Sequence, residues 1–156
     1  MSKNNKILYF VICVFFTSLL DLHLSDFIIK NICVFNLKPL NKFIEITYYE
    51  NTGAAFSIFQ HNTEFLICFA IISILILFFL LIKNIHKVSL LTCFFSAILT
   101  SGIICNTYER ITFGFVRDFF QINFINFPVF NISDILINAG VLAIMFIIIC
   151  YKQKMK

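Results

Sequence analysis

Phe65–Ile82 reads FLICFAIISILILFFLLI, eighteen residues without one charge. As a helix rising about 1.5 Å per residue it is about 27 Å long, close to the depth of a bilayer's hydrocarbon core. Helix is the expected form because lipid offers no partner to backbone N–H and C=O groups, so the segment must pair its own. Outward from it lie three more apolar runs. Ile7–Leu20, interrupted only by Thr17 and Ser18, continues through Asp21 to Ile29; Val88–Cys105 and Ile135–Tyr151 complete the set. The sequence thus predicts an all-α membrane protein with four transmembrane helices. One integral domain over residues 1–156 is expected, with spans at about 7–28, 65–82, 88–105 and 135–151.

Composition agrees with the runs. Only 13% of the 156 residues are charged and 60% are hydrophobic, whereas a soluble domain averages about 25% charged residues. Too few charges exist to coat a globule of this length. Those present are sorted by sign. Lys3, Lys6, Lys83, Lys87, Lys152, Lys154 and Lys156 fall at the N-terminus, between the second and third runs, and in the C-terminal tail. With four spans these segments share one face, and no acid lies on it. Asp21, Asp26, Glu45, Glu50, Glu64, Glu109, Asp118 and Asp134 all fall towards the other. The Lys-rich face is expected to be cytoplasmic, which places both termini inside and the acid-bearing segments outside. The net charge of +4 then reflects topology, and no nucleic-acid partner is implied.

Lys3 and Lys6 ahead of an apolar stretch resemble a secretory signal. No small-residue cleavage site follows, and Asp21 and Asp26 occupy the place where one is needed, so an uncleaved first span is expected. Cys13, Cys33, Cys68, Cys93, Cys105 and Cys150 show no C-x-x-C spacing, and five lie in apolar runs where a thiol acts as a small apolar group. Neither a disulfide framework nor a zinc site is expected.

Two external segments carry the polar chemistry. In the first, residues 30–64, Ile44–Glu50 (IEITYYE) is β-branched and aromatic and runs into Asn51-Thr52-Gly53, which reads as strand then turn. In the second, residues 106–133, Gly114–Phe120 and Phe124–Phe130 look extended, and Pro128 opposes helix. Together they predict a small extended sheet over the helix ends.

Asp134 opens the fourth span and Asp118 lies in the loop before it. An Asp at a helix start is ordinarily an N-cap, accepting from the first free N–H groups; an Asp in a loop is ordinarily solvated, here beside Arg117 or Arg110. Both also fit catalysis. Two carboxylates held close in a poorly solvated site cannot both ionise, so they share a proton. The ionised one deprotonates water and the protonated one donates to a carbonyl oxygen and a leaving amine. Such a pair hydrolyses amides with no metal or cofactor. Spacing alone leaves the alternatives open. His23, His61 and His86 are too scattered for H-E-x-x-H, and there is no G-x-S-x-G and no phosphate-binding Gly loop. His23 lies one turn before Asp26 and can pair with it.

Three blocks together resemble one family, the bacterial lipoprotein signal peptidases (signal peptidase II). Asn51–Ser57 (NTGAAFS) is similar to its N-x-G-A-A-F segment, Ser101–Asp118 (SGIICNTYERITFGFVRD) to its G-G-x-x-G-N-x-x-D-R-x-x-x-G-x-V-x-D block, and Phe130–Asp134 (FNISD) to its F-N-x-A-D. Order and spacing agree, and the only four glycines, Gly53, Gly102, Gly114 and Gly140, all fall at family glycine positions. The resemblance implies an aspartic endopeptidase with Asp118 and Asp134 as the catalytic pair. It implies supporting or substrate-positioning roles for Asn51, Gly53, Asn106, Arg110 and Asn131. Asp21 matches a first-span aspartate, either a buried partner holding the outer loop or a direct contributor. The implied substrates are prolipoproteins carrying diacylglyceryl on the lipobox cysteine, cut just before it at the outer face of the bacterial inner membrane. Besides membrane lipids no further partner is implied; a monomer without metal or cofactor, inhibited by globomycin, is expected. Ser25 replaces the family's lysine, Glu109 an aspartate, Ser101 and Cys105 glycines, and Ser133 an alanine. A non-catalytic four-span scaffold or transporter subunit accounts for the spans and charges, but not for three blocks converging on one surface.

Overall fold

Chain segments that must pair their own backbone in lipid have become four long helices, joined at one end by a two-stranded sheet. The computed structural model describes residues 1–35, 43–54 and 58–154, so Ala55, Phe56 and Ser57 of the NTGAAFS block lie outside it. The order is α1 (Lys3–Phe35), β1 (Ile44–Asn51), α2 (Thr63–Asn84), α3 (Leu90–Phe113), β2 (Val116–Ile122) and α4 (Ile132–Lys154). All four helices are long and apolar enough to cross a membrane. Their outward faces carry Phe15, Phe16, Phe69, Leu75, Phe79, Leu142 and Phe146 exposed, a surface that matches hydrocarbon and not water.

The central helix is α3. In its apolar stretch 56% of residues are buried, against 11% for each of the other three helices, because α1, α2 and α4 all pack on it. Its approach to α4 depends on missing side chains. A Cβ on Gly102 would lie 2.5 Å from the Ser133 carbonyl oxygen and 2.8 Å from Ile137, and one on Gly140 would lie 2.7 Å from the Leu99 Cβ. Two backbones can come this close only where glycine stands on one of them. The pairing of 102 with 133–137 and of 140 with 99 makes the two helices antiparallel. At the Lys-bearing end, Lys6 Nζ donates to the carbonyls of Ile85 (3.1 Å) and Val88 (2.7 Å), tying α1 to the α2–α3 turn.

Helix α1 contains neither Gly nor Pro and runs unbroken for 33 residues, about 50 Å at 1.5 Å per residue. Helix α3 also outruns its apolar stretch. Residues 106–113, expected in an external segment, are its last two turns, closed by Gly114 with φ 84°. Nothing in Asn106–Phe113 breaks a helix, and burial of Glu109 against Arg117 removes the cost of its charge. Asn106 and Arg110 are therefore rigid helix residues.

IEITYYE forms the expected strand. It pairs antiparallel with β2, from Ile44 opposite Ile122 to Asn51 opposite Val116. Between Ile46 and Tyr49 the register slips: Thr47 and Tyr48 together face Phe119, a β-bulge. Phe124–Phe130, expected to be extended, contributes only a bridge from Phe130 to Phe120. The rest is turn and irregular chain, with Pro128 among it.

Candidate active site

Asp118 stands on strand β2, not in a loop, and is 1% exposed. Strand alternation sends Arg117 to the opposite face. There Arg117 pairs with Glu109 (2.6 Å) and Asp26 (2.8 Å), and its guanidinium covers the Phe113 ring at 4.6 Å. Neither Arg117 with Asp118 nor His23 with Asp26 is thus the pairing formed. Asp118 faces amides instead. Asn51, diagonal to it across the sheet, donates from Nδ2 to Oδ2 (2.9 Å), and Asn131 Nδ2 donates to Oδ1 (2.9 Å).

Asp134 sits at the third position of α4, and Asn131 is the N-cap. Asn131 Oδ1 accepts from the Asp134 backbone N–H (2.9 Å), while Asp134 Oδ2 accepts from the Asn131 backbone N–H (3.2 Å). This is a reciprocal capping box, which corrects the simple N-cap expectation: the helix start holds the carboxylate instead of being held by it alone. Oδ1 of Asp134 accepts from Asn106 Nδ2 (2.9 Å). The Asn131 amide also donates to Asn106 Oδ1 (3.1 Å). One asparagine therefore fixes both carboxylates and the residue between them.

Asn106 and Arg110, four apart, share a face of α3. Arg110 Nη1 donates to the Asn106 carbonyl (3.2 Å) and Nη2 to the Gly53 carbonyl (2.7 Å). Gly53 N–H in turn donates to Asn51 Oδ1 (3.0 Å), so the turn after β1 is locked onto α3. Buried Arg110 Nε has no partner among the described residues. The network lines one side of a cleft of about 700 Å³, whose other walls are apolar apart from Asn138, with Val116, Ile122, Phe127, Phe130, Ile135 and Leu142 among them.

Burial raises Asp118 first, and the nearby Asp134 charge adds to it. The Asn51 and Asn131 amides and the Arg110 charge oppose them, leaving Asp118 pushed up to about 7. Near neutral pH Asp118 therefore keeps its proton about half of the time, whereas the same carboxyl in water would be ionised.

Asp21 is buried on α1 but does not line the cleft. It accepts from Ser133 Oγ, one residue before Asp134, and from Ser25 Oγ (3.3 Å). It anchors the start of α4 to α1.

The family model for signal peptidase (SPase) II matches residues 13–150. The chain belongs to that family. It is 33% identical over 136 residues to the lipoprotein signal peptidase of Streptococcus thermophilus, spanning 86% of this chain and 87% of that one. It is 38% identical over 113 residues to that of Caldicellulosiruptor bescii, spanning 70% of each. Its fold is similar to a bacterial membrane enzyme solved by the in meso method at 2.3 Å resolution, with a TM-score of 0.76, 25% identity, and 98% of this chain and 92% of that one covered.

The described residues of the signal peptidase II blocks read in the sequence meet in space. Asn51, Gly53, Asn106, Arg110, Asp118, Asn131 and Asp134 form one bonded cluster, while Asp21 touches its edge through Ser133. Sequence reading missed the ion network of Glu109, Arg117 and Asp26. Alternation along Val116–Phe120 carried that signal, since consecutive strand residues cannot share a face. The apolar cleft walls and Asn138, also in the lining, had no signal beyond position.

Proposed function

We propose that this multi-pass membrane protein is an aspartic endopeptidase that removes the signal peptide from diacylglyceryl-modified prolipoproteins, cutting just before the lipidated cysteine. The observation that carries this reading is Asn131, whose amide and backbone bind both Asp118 and Asp134 in the lining of a largely apolar cleft. Asp118, pushed up to about 7, holds the pair's proton in the active form. Asp134 takes a proton from water as the water oxygen attacks the scissile carbonyl carbon, and Asp118 gives its proton to the carbonyl oxygen. When the tetrahedral adduct collapses, Asp134 passes its proton to the leaving amine of the cysteine and Asp118 recovers one from the adduct's hydroxyl. The balance closes with one water consumed. Asn51, Gly53 and Arg110 position the substrate-side turn, Asn106 and Asn131 hold the carboxylates, and Asp21 fixes the start of α4. All these groups come from one chain, so a monomer suffices, as one membrane domain. The Lys-rich end with both termini faces the cytoplasm and the cleft opens at the outer face of the inner membrane.

The test is cleavage of a diacylglyceryl-modified prolipoprotein in membranes. Asp118→Asn and Asp134→Asn should each lower kcat by about a thousandfold or more while inserting normally, and globomycin should inhibit the wild type. A variant that keeps full rate removes that aspartate from the mechanism.

A further inference from the structure

Asn138 is the one polar side chain in the cleft lining that stands apart from the carboxylate network among the described residues. It lies on α4 one turn beyond Asp134 and on the same face, four residues and so about 6 Å further along the helix at 1.5 Å per residue, inside the apolar run that starts at Ile135. Its α4 neighbours in the cleft wall, Ile135 and Leu142, are exposed and apolar. Its Nδ2 donates to the Asp134 carbonyl at 2.8 Å. That uses one amide hydrogen, and among the described residues the other hydrogen and Oδ1 remain for the cleft. In hydrocarbon an amide left half-satisfied is costly.

Resting on the proposed peptidase reading, we propose that Asn138 is a substrate-positioning residue that hydrogen-bonds the main chain of the signal peptide on the N-terminal side of the scissile bond. A peptide presented for hydrolysis must be unwound there, and in lipid its freed N–H and C=O groups need partners. The residues before the cut run from the carboxylates into the membrane, the direction in which α4 presents Asn138. The remaining amide face offers one donor and one acceptor, which match a peptide group. A lipid ester supplies an acceptor only.

The test measures kcat and KM with a synthetic diacylglyceryl prolipopeptide for wild type, Asn138→Leu and Asn138→Ser. Serine on a helix can keep the bond to the carbonyl four residues back but does not reach the cleft. Loss of about one neutral hydrogen bond predicts a KM about 3- to 10-fold higher in both variants, with kcat held to within about twofold. Wild-type kinetics in Asn138→Ser with a defect in Asn138→Leu would assign Asn138 to holding the Asp134 backbone and overturn the proposal. Unchanged KM in both overturns it too, leaving the peptidase reading intact, whereas no cleavage by inserted wild type sinks both. Repeating the series with a diether-linked substrate, which lacks lipid carbonyls, should give the same KM ratio; loss of the ratio would move the partner to the ester and refute the peptide assignment.

Discussion

Asp118 is placed where burial and a second carboxylate favour its proton while two asparagine amides and Arg110 favour its charge, and burial wins. Two consequences follow in pH. Between its ordinary value of 3.8 and about 7, the folded chain keeps a proton at Asp118 that the unfolded chain has lost. Stability should therefore fall as pH rises through that window and level off above it. Asp118→Asn should flatten that slope in thermal unfolding of the detergent-solubilised protein; an identical slope in the variant would show that another group carries it. In the proposed reaction the proton on Asp118 is needed, so kcat/KM, which follows the free enzyme, should decline on the alkaline side with an apparent midpoint near 7. Asn51→Ala removes a donor to the ionised form and should move that limb to higher pH. A move to lower pH would mean the amide acts on something other than the carboxylate. At this scale the sequence was readable where residue type constrains chemistry, as with two acids and three asparagines in motif blocks. It was less so for Arg117, whose neighbour in the chain is Asp118 but whose partners, Glu109 and Asp26, come from α3 and α1. Pairings across 8 and 91 positions are set by the packing of a strand against two helices, which no local pattern reports.

Among the elements, α3 and α4 matter most, since the site straddles their shared end and both glycine contacts lie between them. Gly102 and Gly140 separate packing from function. A methyl at Gly140 meets Leu99 and the Phe95 carbonyl, far along α4 from Asp134, whereas a methyl at Gly102 meets the carbonyl of Ser133, next to Asp134. Each alanine variant should lose about 1–3 kcal/mol of stability to overpacking. Gly102→Ala should in addition cut kcat by about 10- to 100-fold, because a displacement near 1 Å at reacting groups costs that order. Gly140→Ala should stay within about threefold of wild type. Equal kcat losses in the two variants, measured at matched folded fractions, would show that α4 moves as a rigid rod and that its start is not separately set. The helices themselves were legible because uncharged runs of bilayer length admit no other structure. The ends were not: α3 continues through Asn106–Phe113 because its two charges are matched by Arg117 and by the site, and a strict count of apolar residues stops at Cys105. The bulge at Thr47–Tyr48 left no mark in a stretch whose β-branched and aromatic composition fits a regular strand equally well.

For the whole molecule, the sorting of charge along the chain and the geometry of the bundle make one statement. The N-terminal Lys6 is bonded to the α2–α3 turn, which carries Lys87 and follows Lys83 in the last turn of α2, and α4 runs antiparallel to α3, which returns its C-terminal lysines to the same end. The sheet and both cleft carboxylates occupy the other end, where Asp26 and Glu109 also meet Arg117. A bilayer holds the molecule between these ends by its exposed Phe, Leu and Ile surface, and the positive-inside bias then selects one of two orientations. In the proposed orientation the cleft lies outside, where a signal helix already embedded in the membrane would reach the carboxylates by moving sideways, with its lipid remaining in hydrocarbon. Exposed Gln121 at the end of β2 and exposed Lys87 in the α2–α3 turn report on the two ends. With Gln121→Cys and Lys87→Cys introduced separately, a membrane-impermeant thiol reagent added to intact cells of a permeable-envelope strain should label the first and spare the second. Both should label after lysis, and the natural cysteines of the unaltered chain set the background. The reverse pattern would place the carboxylate pair in the cytoplasm, where a substrate exported and lipidated before cleavage could not present its scissile bond, and the proposed reaction would have to be abandoned together with the orientation.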